Sequence, residues 1–155
     1  GTVSSRAMIH PTAIVQETAY LHPSATLWAY VVVDAGANIG ADVVIGTHTF
    51  VGKRAKIGDG TRIMGLCYIP TEIQIGRDVF IGPLTSFTGD KYPQVNKPGH
   101  RENPVIIEDG VNVGSNVVVL PGVRLGAGCC VGAGSVVTHD VPPKATVVGN
   151  PARVR

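Results

Sequence analysis

The sequence has few charged residues, few aromatic residues and no long apolar run. Asp, Glu, Lys and Arg make up 15% of the 155 residues, and the formal net charge is only +2. This balance excludes the strong basic field typical of proteins that bind nucleic acid or a membrane surface. No apolar run approaches the roughly 18–20 residues of a membrane span, and no secretory signal is visible, so we expect a cytoplasmic protein.

Cysteine is also scarce, with three residues whose spacing does not match a zinc site. An odd number cannot all pair with one another, which fits a reducing compartment. Residues 1–7 read Gly-Thr-Val-Ser-Ser-Arg-Ala and precede Met8. We interpret them as a cloning remnant, which leaves residues 8–155 as a single domain.

A period of six residues runs through almost the whole chain. Every sixth residue from Ile9 to Phe87 is apolar, and after a break the pattern resumes at Ile107 and ends at Val137, giving 20 positions without a miss. Period six fits neither an α-helix nor a simple alternating strand. A unit this short cannot bury its own apolar face, so stacking of successive units must do so.

Two neighbouring positions define the repeat unit. The residue after the apolar site is Gly in nine of the 20 units, which suits a sharp corner and a positive φ. The residue two places before the site is small or β-branched, as at Ala25 and Thr49, and shares the inward face. We therefore predict a short strand and a corner per unit, with three units closing a triangular coil. Cys67 and Cys129 take the small inward position, whereas Cys130 points outward.

The units Ile39-Gly-Ala-Asp-Val-Val, Ile45-Gly-Thr-His-Thr-Phe and Val51-Gly-Lys-Arg-Ala-Lys resemble the hexapeptide-repeat acyltransferase superfamily. The resemblance covers nearly the whole chain from residue 9 to residue 155. It implies an all-β fold, a left-handed parallel β-helix, which departs from the usual right-handed crossover rule. It also implies a homotrimer with active sites between subunits, acetyl-CoA as the acyl donor and no metal.

The C-terminal third carries a more specific motif. Val131-Gly-Ala-Gly-Ser-Val-Val-Thr-His-Asp-Val-Pro-Pro and then Val148-Gly-Asn-Pro-Ala-Arg resemble the end of the acetyltransferase branch, which closes the last coil and lines the coenzyme A site. Small residues let the pantetheine arm approach the backbone, and cations suit the phosphates. The residues expected to bind the cofactor are Gly114, Gly132, Ala133, Gly134, Ser135, Lys144 and Arg153.

The central third of the chain indicates a narrower class of substrate. Ile81-Gly-Pro-Leu-Thr-Ser-Phe-Thr-Gly-Asp-Lys-Tyr-Pro resembles the N-acetyltransferases that modify amino sugars on nucleotide carriers, as used for lipopolysaccharide O-antigen and other surface glycans. Their motif reads Phe-Thr-Asn-Asp before Lys/Arg-Tyr-Pro. Gly89 stands where that Asn would be, and this departure affects one hydrogen bond to the substrate.

The repeat breaks near residues 88–104, where we predict an extended loop that reaches an adjacent subunit. Acyl transfer to an amine needs a neutral amine, an acceptor for its proton and a donor for the thioester oxygen. By resemblance Asp90 lies at the substrate amine. Glu72, which points outward one coil earlier, and His100 in the loop are the other catalytic candidates. The residues expected to bind the substrate are Lys91, Tyr92 and Arg101.

Two alternatives to this N-acetyltransferase remain open. An O-acetyltransferase of the galactoside, maltose or serine type would carry a His-Pro pair where this chain has Asp90-Lys91, although His100 is available as a base. A non-catalytic trimeric scaffold would use the same coil and terminal cap. A γ-class carbonic anhydrase shares the scaffold but needs three converging histidines, and the five in this chain lack that spacing.

Overall fold

The computed structural model describes residues 8–96 and 103–155, and these residues form an all-β structure. They include no helix that could cross a bilayer. Nineteen two-residue strands come first: β1 (Ile14–Val15), β2 (Tyr20–Leu21), β3 (Thr26–Leu27), β4 (Val32–Val33), β5 (Asn38–Ile39), β6 (Val44–Ile45), β7 (Phe50–Val51), β8 (Lys56–Ile57), β9 (Arg62–Ile63), β10 (Tyr68–Ile69), β11 (Gln74–Ile75), β12 (Phe80–Ile81), β13 (Ser86–Phe87), β14 (Ile106–Ile107), β15 (Asn112–Val113), β16 (Val118–Val119), β17 (Arg124–Leu125), β18 (Cys130–Val131) and β19 (Val136–Val137). Two longer strands follow, β20 (Thr146–Gly149) and β21 (Ala152–Val154).

Each strand from β1 to β16 pairs with the strand three places later in the chain, as β1 does with β4. The chain therefore winds into a prism with three faces. The first face is β1-β4-β7-β10-β13-β16-β19, the second is β2-β5-β8-β11-β14-β17, and the third is β3-β6-β9-β12-β15-β18-β20-β21. Partners within a face are parallel, as in Ile14↔Val32, and β21 folds back antiparallel onto β20. This arrangement confirms the predicted hexapeptide-repeat left-handed parallel β-helix.

The extended loop is inserted without disturbing the stacking of coils. Before the loop β13 pairs with β10, and after it β14 pairs with β11 through Gln74↔Ile106. The first face continues from β13 to β16 through Ser86↔Val118. The loop therefore leaves the prism between the first and second faces and returns at the same level.

The core contains one large and one small side chain from each unit, as the repeat predicts. Leu27, Ile39 and Ile63 are fully buried at the large position, and Cys67 and Cys129 are buried at the small one. Inward hydroxyls join neighbouring coils, since Thr49, for example, donates to the Met64 carbonyl at 2.9 Å and accepts from the Cys67 amide at 3.3 Å. Thr61, Thr85 and Ser135 are buried in the same way. Each coil is therefore tied to the next by its core as well as by its sheets.

The expectation that the repeated glycines supply a positive φ was wrong. Positive φ falls two residues later, at Leu66 (61°), Glu72 (62°) and Leu84 (64°), for example. The glycines allow close approach between coils instead, because a Cβ added at Gly46 would lie 2.5 Å from the Gly65 nitrogen. Glycine is therefore required here for its missing side chain rather than for its dihedral freedom.

The three corners of the prism differ in chemistry. The loop corner, between the first and second faces, carries Arg54, Glu72 and Asp90. The acidic corner, between the second and third faces, carries Asp42, Asp59, Asp78 and Asp109. The apolar corner, between the third and first faces, carries the exposed side chains of Trp28, Tyr30, Met64, Leu66 and Leu84. These differences decide where a polar substrate and an apolar partner would bind.

Candidate functional site

A cleft of about 170 Å³ lies at the loop corner, where the chain leaves the prism. Its walls are formed by Tyr68, Pro70, Thr71, Glu72, Thr88, Gly89, Asn103, Pro104, Val105 and Pro121. The cleft is therefore lined by both ends of the loop and by the loop corner of the preceding coil. Three prolines in these walls restrict the backbone around the cleft, because each has a fixed φ.

Glu72 presents a carboxylate in this cleft. Its Oε1 accepts hydrogen bonds from Nε and Nη2 of Arg54 at 3.0 and 2.7 Å. The pair joins two successive coils, with side-chain exposures of 53% for Arg54 and 35% for Glu72. Since both groups remain partly hydrated, the pair contributes little to stability, on the order of 0–1 kcal/mol. Its geometric effect is to fix the position of one carboxylate oxygen.

Asp90 follows Glu72 at the next level of the same corner. Tyr68 pairs with Ser86, and each carboxylate lies four residues after its member of that pair. Adjacent coils are about 4.8 Å apart, so Glu72 lies one coil before the point where the chain leaves the prism toward Asp90. The prediction that Glu72 lies one coil before Asp90 is confirmed by this register.

Two of the predicted substrate-binding residues, Lys91 and Tyr92, follow the cleft residue Gly89 closely in the chain. The Lys91 ammonium is 5.6 Å from the centroid of the Tyr92 ring, within the range of a cation–π contact, and both side chains are exposed. His100 and Arg101, predicted as a base and a substrate contact, lie outside the described residues.

The predicted cofactor residues occupy two different corners. Gly114, Gly132, Ala133 and Gly134 follow one another along the apolar corner, and a Cβ added at Gly134 would meet nothing within 4 Å. Lys144 lies at the acidic corner with φ 62°, and Arg153 lies in β21 at the end of the third face. The third face thus separates the small residues from Lys144.

Ser135 differs from the other predicted cofactor residues because its side chain is inside the prism. It is fully buried, and its hydroxyl donates to the Gly132 carbonyl at 2.6 Å and accepts from the Gly149 amide at 3.1 Å. The first hydrogen bond lies within the corner of the last coil, and the second joins that coil to the C-terminal hairpin. Any contribution of Ser135 to cofactor binding would therefore come through the shape of the corner.

The sequence analysis missed several residues of the cleft, above all Tyr68. This residue lies on the outer side of the first face, and its ring stacks on that of Phe50 with centroids 5.5 Å apart and planes 13° from parallel. Thr88 donates its hydroxyl to the Val119 carbonyl at 3.3 Å and forms another wall. The available signal in the sequence was an aromatic residue at an outward position one coil before the break in the repeat.

Three groups with a shifted pKa lie outside the walls of the cleft. Burial raises the pKa of the Cys129 thiol to about 11, and burial also raises the pKa of Cys67. The Arg124 guanidinium, followed by the Ala127 amide, holds the pKa of Glu108 below its ordinary value of 4.5. Across residues 8–96 and 103–155, no three His, Cys, Asp or Glu side chains gather as a metal site would require.

The fold and the terminal motif define a hexapeptide transferase, and comparison with known proteins agrees. The family model described as bacterial transferase hexapeptide (six repeats) matches residues 104–139. A hexapeptide-repeat acetyltransferase from Vibrio cholerae, solved with acetyl coenzyme A, is 34% identical, with 77% of this chain and 69% of that chain covered at a TM-score of 0.65. This chain belongs to the hexapeptide-repeat acetyltransferase family.

Two further relatives show the range of this family. A maltose O-acetyltransferase from Clostridium difficile is 28% identical, with 77% of this chain and 68% of that chain covered and a TM-score of 0.66. The bifunctional protein GlmU of Thermotoga petrophila is 39% identical over 102 residues, which is 66% of this chain and 21% of the relative. The chain thus spans about a fifth of the length of the GlmU relatives it matches.

Proposed function

We propose that the protein is an acetyl-CoA-dependent N-acetyltransferase acting on the amino group of a nucleotide-linked amino sugar, a precursor of surface glycans such as lipopolysaccharide. The observation that carries the proposal is the cleft at the loop corner. There Glu72 lies one coil before Asp90, beside a motif that resembles those of the amino-sugar N-acetyltransferases. With three free cysteines, we place this activity in the reducing cytoplasm.

In the proposed reaction the neutral amine attacks the thioester carbon of acetyl-CoA. A C–N bond forms, the C–S bond breaks, and the amine proton passes to the departing thiolate. Asp90 or Glu72 holds the amine and relays its proton directly or through water. Arg54 holds one carboxylate oxygen of Glu72 in place through two hydrogen bonds.

We also propose a homotrimer whose active sites lie between subunits. The carboxylates lie at the loop corner and the small cofactor residues at the apolar corner, with the first face between them. Equivalent positions on these corners are six residues apart, as Leu66 and Glu72 are, which is up to about 20 Å of extended chain. A neighbouring subunit that packs its apolar corner against the loop corner would bring the two together.

The apolar corner supports this assembly because it exposes large side chains. Tyr30, Leu66 and Leu84 are each more than half exposed in the single chain. Contiguous apolar surface of this kind marks an interaction site. Light scattering should therefore report three chains per particle, and Leu66→Asp should reduce that number, since Asp tolerates the left-handed backbone of this position. Tyr20→Asp on the second face is the matched control.

The first experiment combines calorimetric titration of acetyl-CoA with a screen for thiol release over nucleotide-linked amino sugars. We expect binding, and thiol release with one member of the panel. Binding of acetyl-CoA without thiol release would indicate that the acceptor is an alcohol or another amine. No binding of acetyl-CoA would favour the non-catalytic scaffold. Asp90→Asn and Glu72→Gln should reduce turnover by about 100-fold or more if they relay the proton. Glu17→Gln, at the same corner in the first coil, should not.

An O-acetyltransferase is the second candidate, favoured by the similarity to the maltose O-acetyltransferase. It would acetylate a sugar hydroxyl and would need a stronger base than a carboxylate. Replacing His100 with Ala separates the two activities. Collapse of turnover favours an imidazole base and the hydroxyl acceptor, whereas unchanged turnover favours the carboxylate route and the amine.

A further inference from the structure

The first face carries a short stack of aromatic rings that ends at the cleft. Phe50 and Tyr68 occupy equivalent outward positions on β7 and β10, and their rings are stacked with centroids 5.5 Å apart. Tyr68 is 47% exposed although one side of its ring is covered by Phe50. The exposed area therefore includes the other side of the ring, toward the next coil.

The residue at the equivalent outward position of the next coil is small. Ser86 is the partner of Tyr68 on β13, and Val118 is the partner of Ser86 on β16. At about 4.8 Å per coil, Val118 is roughly 10 Å from Tyr68 along the prism. A flat ring packs at about 3.5–4.0 Å from its neighbour, so one ring fits over Ser86, between the phenol and the valine.

The same phenol lines the cleft that contains Glu72. The two residues are four apart in the chain, and both belong to the wall of a cavity of about 170 Å³. Sites that enclose a whole drug-sized ligand measure about 300–1,000 Å³, so this cleft suits a single ring rather than a whole nucleotide sugar. A ring bound here would have an aromatic surface on one side and a carboxylate at its edge.

We propose that Tyr68 is the platform for the sugar ring of the acceptor. The apolar side of the pyranose stacks on the phenol above Ser86, and the amino group at the ring edge then faces Glu72. This assignment rests on the proposed function, because it identifies the bound ring with the amino sugar. It makes Tyr68 a specificity-determining residue that selects cyclic amines over flexible ones, since an acyclic amine offers no flat surface to the phenol.

Four variants test the platform. Tyr68→Ala removes the ring, Tyr68→Phe keeps it, and Ser86→Trp fills the space above it. Tyr20→Ala removes an equally exposed tyrosine from the second face and is the matched control. Acetyl-CoA affinity and the thermal midpoint, measured for each variant, separate a local effect from misfolding.

Acceptor KM is the first measurement. We expect Tyr68→Ala and Ser86→Trp to raise KM for the amino sugar about tenfold, the factor equivalent to about 1.4 kcal/mol of lost stacking. Tyr68→Phe and Tyr20→Ala should leave KM within about twofold, and acetyl-CoA affinity should be unchanged in all four. Turnover in the wild type with unchanged KM in Tyr68→Ala would overturn the platform while leaving the proposed function intact.

The second measurement needs no turnover. Saturation-transfer NMR with UDP-linked glucosamine should show ring protons saturated by the wild type and by Tyr68→Phe, but not by Tyr68→Ala. If this pattern appears without thiol release from any amino sugar, the platform is supported and the proposed function fails. If neither ring saturation nor thiol release is seen, both are overturned.

Discussion

Gly89 lies in the wall of the cleft, at the position where the amino-sugar N-acetyltransferase motif has Asn. A Cβ added there would meet nothing within 4 Å, so a side chain at this position is tolerated. We expect Gly89→Asn to fold normally and to lower KM for an amino-sugar acceptor about fivefold, because one added hydrogen bond contributes about 1 kcal/mol. Thiol-release kinetics and the thermal midpoint measure both parts of this prediction.

Gly89→Ala is the control for that prediction, because it adds a side chain without the amide. An equal change of KM in the two variants would assign the effect to loop rigidity, since any side chain reduces the conformational freedom of a glycine. No change in either variant would mean that the substrate does not reach position 89.

Single residues also show which parts of the fold could be predicted from sequence. The inward residues were predictable because each six-residue unit needs one large and one small side chain, which leaves a strict period. The corner geometry was not, because positive φ falls on residues as different as Leu66 and Glu72. The left-handed region costs such residues about 1–2 kcal/mol, and stacking of the coils offsets that cost without leaving a sequence pattern.

The candidate site was predictable only in part. Glu72 and Asp90 were predicted together because the period places them at the same corner in successive coils, and the register agrees. Tyr68 was missed because outward positions follow no rule of the repeat and vary from face to face. The division of the cofactor residues between two corners was missed for a related reason, since successive units of the chain lie at different corners of the prism.

At the scale of the strand and corner, the spacing between coils depends on glycine residues, which have no side chain. A Cβ at Gly82 would lie 2.6 Å from the carbonyl carbon of Gly114 and 2.7 Å from the Ser115 nitrogen, and both are backbone atoms. We expect Gly82→Ala to lower the free energy of unfolding by roughly 1–3 kcal/mol, the usual cost of overpacking. Denaturant unfolding measures this, and Gly89→Ala, where the added Cβ has room, should be close to neutral.

Ion pairs across coils make a different, pH-dependent contribution. Glu108 accepts hydrogen bonds from Arg124 at 2.8 and 3.1 Å and from the Ala127 amide at 2.9 Å, which lowers its pKa in the folded state. A lowered folded pKa gives stability that is present above the unfolded pKa and is lost as the pH falls through the folded value. Protonation of this carboxylate should therefore weaken the contact between β14 and β17.

Replacing Glu108 by Gln tests that contribution. The variant should be less stable than the wild type at neutral pH, and the difference should shrink as the pH falls below the ordinary value of 4.5, because the wild-type carboxylate then becomes neutral as well. Denaturant unfolding at several pH values measures the difference. Glu17→Gln is the matched control, and a gap that widens in acid would contradict the assignment of the lowered pKa.

On the scale of the whole molecule, the prism separates functions that the reaction must combine. The carboxylates and the phenol of the proposed acceptor site lie at the loop corner, whereas the apolar corner carries exposed hydrophobic residues and, in the later coils, the small residues expected at acetyl-CoA. One rigid solenoid cannot fold these corners together, because each coil contacts only its neighbours. The proposed threefold assembly would resolve this, since each subunit would then supply a different corner to the sites on its two sides.

Subunit mixing tests that arrangement. The double variant Glu72→Gln with Asp90→Asn disables the loop corner, and Ala133→Trp fills the exposed surface of the apolar corner. Each homotrimer alone should release no thiol. After the two are unfolded and refolded together in equal amounts, about a quarter of the sites should pair an intact loop corner with an intact neighbouring apolar corner, because neighbours are drawn at random. We therefore expect about a quarter of wild-type thiol release from the refolded mixture and none from the same proteins mixed while folded. A refolded mixture as inactive as its parents would mean that both corners of a site belong to one subunit.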